Sequence, residues 1–326
     1  MPIKPNEKSF ITKTLVQNLA NLIELHQNGA YRSIKGKLTL DMTNTATPPT
    51  FIEDGLLKFI KALGVRKNGK VFRHNVPLRI HYYVEMAIKG KPPKKTDPVT
   101  TASATYNAIV YFTIDFAKDK LNEFDLSALQ QTKNLSQFEL VVQTGTVSDI
   151  ASANAPTINS VTLDIATRYF TGTTNDGYDI NDDSLVTLRN ITETTEDINL
   201  EVNRLIYDKS SQDVPLVAGS RILETAFILT DNGVRSDSRI TDLKFKRIRP
   251  NEDEILETTW DNLHGNNITE YNIENDVVGF SIIDWKEKLD PVNGLITGAR
   301  TNDVIQLLTN GIVALEDKLE IYTRSE

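Results

Sequence analysis

From Ala108 to Phe116 the chain alternates strictly. Ala108, Val110, Phe112, Ile114 and Phe116 fall on one side, Ile109, Tyr111, Thr113 and Asp115 on the other. A period of two, filled with aromatic and β-branched residues, predicts a strand with one face in a core. After a polar crossing and a short apolar turn (LSAL), Phe138, Leu140 and Val142 repeat the alternation and predict a second strand. The same order returns near the C-terminus as VGFSIIDWKEKLDPVNGLITGARTNDVIQLLTNG. There Asp284-Trp285 matches Asp115-Phe116, and Gly311 matches Gly145. Each copy runs on into one more alternating strand, INSVTLDIATRYF in the first and LEDKLEIYT in the second. One β unit is used twice.

Other segments fill in the frame. In SFITKTLVQNLANLIELHQ (9–27), Ile11, Leu15, Leu19, Leu22, Ile23 and His26 stand at three-and-four spacing. This predicts an amphipathic helix, with Ser9 to cap its start and Gly29 to end it. SIKGKLTLDM predicts a strand with Ile34, Leu38, Leu40 and Met42 on one face. FIEDGLLKFIKAL predicts a short helix ending near Gly64. LRIHYYVEMAI reads as a strand, with Leu78, Ile80, Tyr82, Val84, Met86 and Ile88 on one side and Arg79, His81, Tyr83 and Glu85 on the other. KGKPPKKTDPVTT must leave any sheet, because proline cannot donate to a central ladder. The second half rebuilds the pattern with INLEV, RILETAFIL and LKFKRI, and Leu319 and Ile321 point inward in its last strand.

Many short alternating strands, wide crossings and few helices predict antiparallel sandwiches rather than a parallel sheet. About eight strands per half favours the jelly roll. The expected fold is therefore all-β: two tandem eight-stranded jelly rolls, with short helices in the crossings and an N-terminal amphipathic helix. GTTNDGYDINDDS is the sharpest shift in composition. The expected division is an arm and helix over 1–29, a first roll over 30–172, an acidic linker over 173–184 and a second roll over 185–326.

Length and charge narrow the chemistry. A chain of 326 residues fits two domains of ordinary size. With no cysteine there is no disulfide frame, thiolate metal site or cysteine nucleophile. A net charge of −8 argues against sequence-specific nucleic-acid binding by the surface as a whole. No window approaches the ~18 apolar residues of a membrane span, and the N-terminus lacks the apolar core of a signal peptide.

Catalytic signatures fail in turn. GVRKNGKV imitates a phosphate loop, but Val71 stands where a Ser or Thr would hold magnesium, and a turn with surface lysines accounts for it. His26, His74, His81 and His264 form neither H-x-H nor HExxH, so a jelly-roll metal centre has no ligand set. No G-x-S-x-G occurs. No catalytic or cofactor-binding residue is therefore expected. In NDGYDINDDS, Asp176, Asp179 and Asp183 offer hard oxygen ligands for calcium, but Ser184 and Asn190 stand where an EF-hand loop needs Gly and Glu, which favours a solvated acidic segment. Lys89, Lys91, Lys94 and Lys95 make a basic loop, either protecting a strand edge or meeting an anionic surface.

Ile-Asp-Phe, a polar crossing, FDLSAL and SQFELVV resemble the strand-and-helix crossing of double jelly-roll major capsid proteins of tailless icosahedral viruses with an internal membrane. That lineage includes adenovirus hexon and lipid-containing bacteriophages. LTDNGVRSDSRITDLKFKRI, TTWDNLHGNN, GFSIIDW and GLITGARTNDVIQLLTNG resemble its second roll in the same order. The resemblance spans residues 30 to 326. It implies a homotrimer forming a pseudo-hexagonal tile in a virion shell, made and assembled in the host cytoplasm. Its implied partners are neighbouring capsomers, penton and minor capsid proteins and the internal membrane, with no enzyme activity. The expected helix would then lie beneath the tile. Its apolar residues Ile11, Leu15 and Leu19 would face a roll or a neighbour, and Lys4, Lys8 and Lys13 would reach toward anionic lipid. Two alternatives stay open. One is a jelly-roll carbohydrate-binding adhesin or spike, favoured if Trp260 and Trp285 are exposed. The other is a jelly-roll enzyme.

Overall fold

The computed structural model describes residues 3–116, 129–174, 177–181, 192–200, 204–206, 209–216, 220–247, 253–271, 277–285, 295–296, 303–309 and 317–325. The chain divides into two compact units, Met1–Thr192 and Glu193–Glu326.

In the first unit the strands are β1 (Lys4–Thr14), β2 (Ala20–Glu24), β3 (Ala30–Thr43) and β4 (Thr50–Phe51). A single turn of helix, α1 (Gly55–Lys58), leads to β5 (Ile60–Lys67) and β6 (Lys70–Val76). Helix α2 (Leu78–Lys89) precedes β7 (Thr105–Asp115), and β8 (Phe138–Thr144), β9 (Ala151–Ala153) and β10 (Thr157–Thr171) complete the unit. One four-stranded sheet runs β1-β10-β3-β7 and the other β2-β8-β5-β6, with β4 and β9 as a separate pair. All these neighbours are antiparallel.

The second unit has β11 (Thr192–Asn199), β12 (Arg204–Ile206), β13 (Lys209–Pro215), β14 (Arg221–Asp231) and β15 (Val234–Arg235). Then come β16 (Ile240–Arg247), β17 (Asp253–Thr259) and helix α3 (Trp260–Glu270). The last strands are β18 (Phe280–Asp284), β19 (Leu295–Ile296), β20 (Asp303–Thr309) and β21 (Lys318–Ser325). Strands β11, β21, β14 and β18 lie in that order in one sheet, and β13, β20, β16 and β17 in the other. Strand for strand this is the order of the first unit, and in both a helix joins the fourth strand of one sheet to the fourth strand of the other. The fold is an all-β double jelly roll.

The duplication reaches single residues. Ser33 of β3 stands opposite Arg168 of β10 and Asp115 of β7. In the second unit Glu224 of β14 stands opposite Arg324 and Asp284. Each row is preceded by a bulge, which leaves Arg32 out of register with β10 in one unit and Leu223 out of register with β21 in the other. Both rolls place a buried arginine–carboxylate pair here. Arg32 meets Asp115, and Arg324 Nη1 donates to Glu224 Oε1 at 2.8 Å. Burial opposes the charge on Arg324, but the Glu224 carboxylate together with Tyr322 and Glu193 more than offsets this and keeps the guanidinium above its ordinary pKa.

Alternation fills the cores. On β3, Ile34, Leu38, Leu40 and Met42 are buried, while Lys35 is exposed. Tyr31 of β3 meets Phe138 of β8 edge-on, with ring centroids 4.8 Å apart. In the second unit Phe227, Leu229 and Ile283 of one sheet pack with Leu243, Phe245 and Ile305 of the other, and Trp260 and Trp285 lie among them.

Four expectations are corrected. The helix expected over 9–27 is two strands, β1 and β2, one in each sheet of the first roll. The reason lies in Ile11, Thr12, Thr14 and Val16, a β-branched run, and in Asn18, which turns the chain at φ 57°. The three-and-four spacing mixes buried Leu15 and Ile23 with exposed Leu19 and Leu22 on either side of that turn. Gly29 ends no helix; it lets the chain pass against the Tyr169 ring and the Phe170 carbonyl. Residues 1–29 are thus no separate arm. LRIHYYVEMAI is helix α2, stopped at Gly90 with φ 69°. Its residues from Leu78 to Val84 are all buried, His81 included, so no polar face existed for an alternation to report. Of FIEDGLLKFIKAL only Gly55–Lys58 is helical, and β5 begins at Ile60. Finally, the stretch expected as an acidic linker is, where described, a folded loop of the first roll. Thr173 bridges to Asp179, and Ile180 is buried with Ala30, Leu129 and Phe170.

Candidate functional site

Strand pairing brings the N-terminal residues to the rim of the first roll. β1 lies at the edge of its sheet, paired to β10 from Lys4 opposite Thr171 to Thr14 opposite Thr162. Lys4 and Lys13 are exposed on it, Ile11 is half-buried, and the side chain of Lys8 lies outside the described residues. Leu15 is buried at 4% exposure, whereas Leu19 stands 56% exposed. The six residues expected to face a membrane or a neighbour therefore divide. Leu15 belongs to the core, and Leu19 looks outward.

The strand edges are managed differently. An edge strand offers unpaired backbone groups, and lysine, proline and bulges discourage accidental pairing. β1 has all three: Lys4, Lys8, Lys13, Pro5 and a register shift between Ser9 and Ile11. The free edge of β7 is covered by Lys94–Thr96, through Thr96 N–H to Ile109 O at 2.9 Å and Tyr111 N–H to Lys94 O at 3.0 Å. Lys89 pairs with Glu85 and Lys95 with Asp97, so the basic loop shields an edge. In the second roll, Asn267 of α3 plays the covering part for β18. Its amide donates to Ile282 O at 2.7 Å and accepts from Ile282 N–H at 2.6 Å.

β2 is the exception. It is an edge strand of five residues without lysine or proline, and Leu22 on it is 48% exposed. The turn before it displays Val16, at 56%, and Leu19. That turn is held rigidly. The Asn21 amide accepts from Val16 N–H at 2.8 Å and donates to the carbonyls of Val16 and Leu19, both at 3.0 Å. From β8, Thr144 donates its hydroxyl to Val16 O at 2.7 Å, and Asn18 N–H reaches Gly145 O at 3.0 Å.

The remaining candidates carry no chemistry of their own. Asp179 accepts from Lys133 Nζ at 2.9 Å and from Asn181 N–H at 3.0 Å, so its carboxylate is engaged within the protein. Asp176 and Asp183 lie outside the described residues. Among the described residues no three His, Asp or Glu are grouped to hold a metal. The GVRKNGKV segment is a hairpin, with Asn68 (φ 48°) and Gly69 (φ 78°) turning β5 into β6. Both tryptophans are fully buried. Trp260 Nε1–H donates to Asp237 Oδ1 at 2.8 Å and Trp285 Nε1–H to Thr225 Oγ1 at 2.9 Å, which leaves neither as a platform for stacking a sugar.

Among the described residues of the first roll, Val16, Leu19 and Leu22 make an exposed apolar corner. The solved structures sharing the fold are major capsid proteins of double jelly-roll viruses. The STIV MCP, from Sulfolobus Turreted Icosahedral Virus, aligns over 99% of this chain and 96% of its own, with a TM-score of 0.75 at 15% identity. The Faustovirus major capsid protein aligns over 99% and 89%, with a TM-score of 0.61 at 8% identity. The major capsid protein P2 of Bacteriophage PM2 aligns over 99% and 97%, with a TM-score of 0.54 at 11% identity. No protein-family model and no curated protein matches the sequence.

Proposed function

We propose that this chain is the major capsid subunit of an icosahedral virus with an internal lipid membrane. One observation carries the reading: two consecutive jelly rolls of the same strand order, in a fold shared over nearly the whole chain with viral major capsid proteins. The physical sense of the repeat is geometric. Three copies of a two-roll chain set six like rolls around a threefold axis, so a trimer can fill a site with six neighbours. A lone binder gains nothing from the second roll.

In this reading the subunit is structural, with no reaction to catalyse and no resident cofactor. Its partners are two further copies in the tile, neighbouring tiles, and the penton and minor proteins that close the shell. It is made in the host cytoplasm and ends in the virion. Lys4, Lys8 and Lys13, three cations on one edge strand, are the residues assigned to the membrane, where each is worth up to ~1 kcal/mol close to anionic headgroups.

The test is native mass together with negative-stain images of purified protein. The expected result is a trimer with a six-lobed outline, each interface burying on the order of 2,000 Å² or more, as permanent assemblies do. A monomer at micromolar concentration in mild buffer would overturn it.

A further inference from the structure

Two observations mark the open corner of the first roll. First, it is the rim that strand protection omits: β1 is guarded by lysine, proline and a bulge, and β7 is covered, while β2 has none of these devices. Second, its turn and the segment that clamps it are uncharged. From Thr14 to Ile23 there is no charged residue, and none from Leu140 to Ser148, the segment that clamps the turn. Exposed charges flank the turn at Lys13 and, on β2, at Glu24, and near Gly145 Lys61 pairs with Asp149 at 3.3 Å.

Chemistry limits what can sit there. Nucleic acid or an anionic headgroup needs a cluster of cations, and here Lys61 is paired with Asp149 while Glu24 is exposed on β2. Two copies of this chain, each at −8, repel wherever their acidic surfaces approach. A contact between copies is therefore easiest where charge is absent, and depletion of charge around apolar residues marks the centre of protein interfaces. The Asn21 and Thr144 hydrogen bonds fix Val16 and Leu19 before any partner arrives, so little ordering entropy is lost on contact.

We infer that Val16, Leu19 and Leu22 form the apolar centre of a contact with a second copy of this chain. The inference rests on the capsid reading, which requires copies to meet. Three half-exposed side chains amount to a few hundred Å² at most, roughly the size of a functional patch and short of a complete interface. The corner is the anchor of a larger, more polar contact.

The test uses the full chain carrying Leu19→Asp and Leu22→Asp, compared with the parent by light scattering across a concentration series. All three side chains are already in solvent, so the melting temperature should hold. Association should weaken by at least about tenfold. In parallel, the absence of native cysteine permits Leu19→Cys and, as a remote control, Tyr178→Cys, followed by maleimide labelling. Cys at 19 should label at least about tenfold more slowly in the associated fraction than in dilute protein, with no such change at 178. A parent that associates while the double variant matches it, with equal labelling at both sites, would overturn the inference and leave the capsid reading standing. A parent that stays monomeric would sink the capsid reading, and this inference with it. Protection at 19 by lipid vesicles without self-association would assign the corner to membrane and overturn the second-copy contact.

Discussion

Gly36 sits in the middle of β3 opposite Phe112 of β7, and a methyl group at that position would enter the Phe112 ring. The missing side chain is what lets an aromatic ring lie over the strand. Gly36→Ala should cost about 1–3 kcal/mol through overpacking, read as a lower melting temperature. Gly36→Ala made together with Phe112→Leu should recover part of it. The Arg324–Glu224 pair makes a second test. Both side chains are buried, so removing one partner strands a charge, and Arg324→Met should destabilise by about 3–5 kcal/mol in a denaturant series. Arg324→Met with Glu224→Leu should be markedly milder, and a double variant as damaged as the single would contradict this account. Asp179→Ala removes a half-exposed ion pair to Lys133. Its effect should stay within about 1 kcal/mol and be equal with and without calcium. A calcium-dependent shift would restore the metal reading.

Elements show where pattern-reading breaks down. A strand that buries one face alternates, so β3, β7 and β10 were legible from alternation, whereas β14 is buried on both faces from Ile222 to Thr230. α2 is buried along most of its length, Arg79 and His81 included, so the alternation of polar and apolar residue types reported no exposed face. Its bounds were nonetheless written in the chain, as Pro77 before it and Gly90 after it. β1 and β2 failed for the opposite reason: their residues are mixed, and pairing with β10 and β8 decides their conformation. One prediction follows at this scale. Deleting residues 1–28 removes one strand from each sheet of the first roll and exposes the cores beneath. The truncated chain should lose cooperative melting of that unit and become protease-sensitive between residues 30 and 172. A truncated protein that melts like the parent would show that β1 and β2 are dispensable additions to the roll.

At the scale of the whole molecule the repeat was readable because it was carried by order. Asp115-Phe116 and Asp284-Trp285 do end equivalent strands, each in a row with an arginine across the sheet. Gly145 and the strands on either side of it were placed by alternation, whereas Gly311 lies outside the described residues. Trp285, the match of Phe116, lies in the core. The open corner could not be read beforehand. Leu15, Leu19, Leu22 and Ile23 are alike in sequence, and only the fold separates Leu15 and Ile23, both buried, from Leu19 and Leu22 in solvent. The sequence alone determined the class: all-β, duplicated and without cysteine. Those follow from local period, order and composition, which need no partner strand to be defined. The tertiary structure decided which apolar residues are core, which edges are protected and where the N-terminus lies, because each depends on residues more than a hundred positions away in the chain.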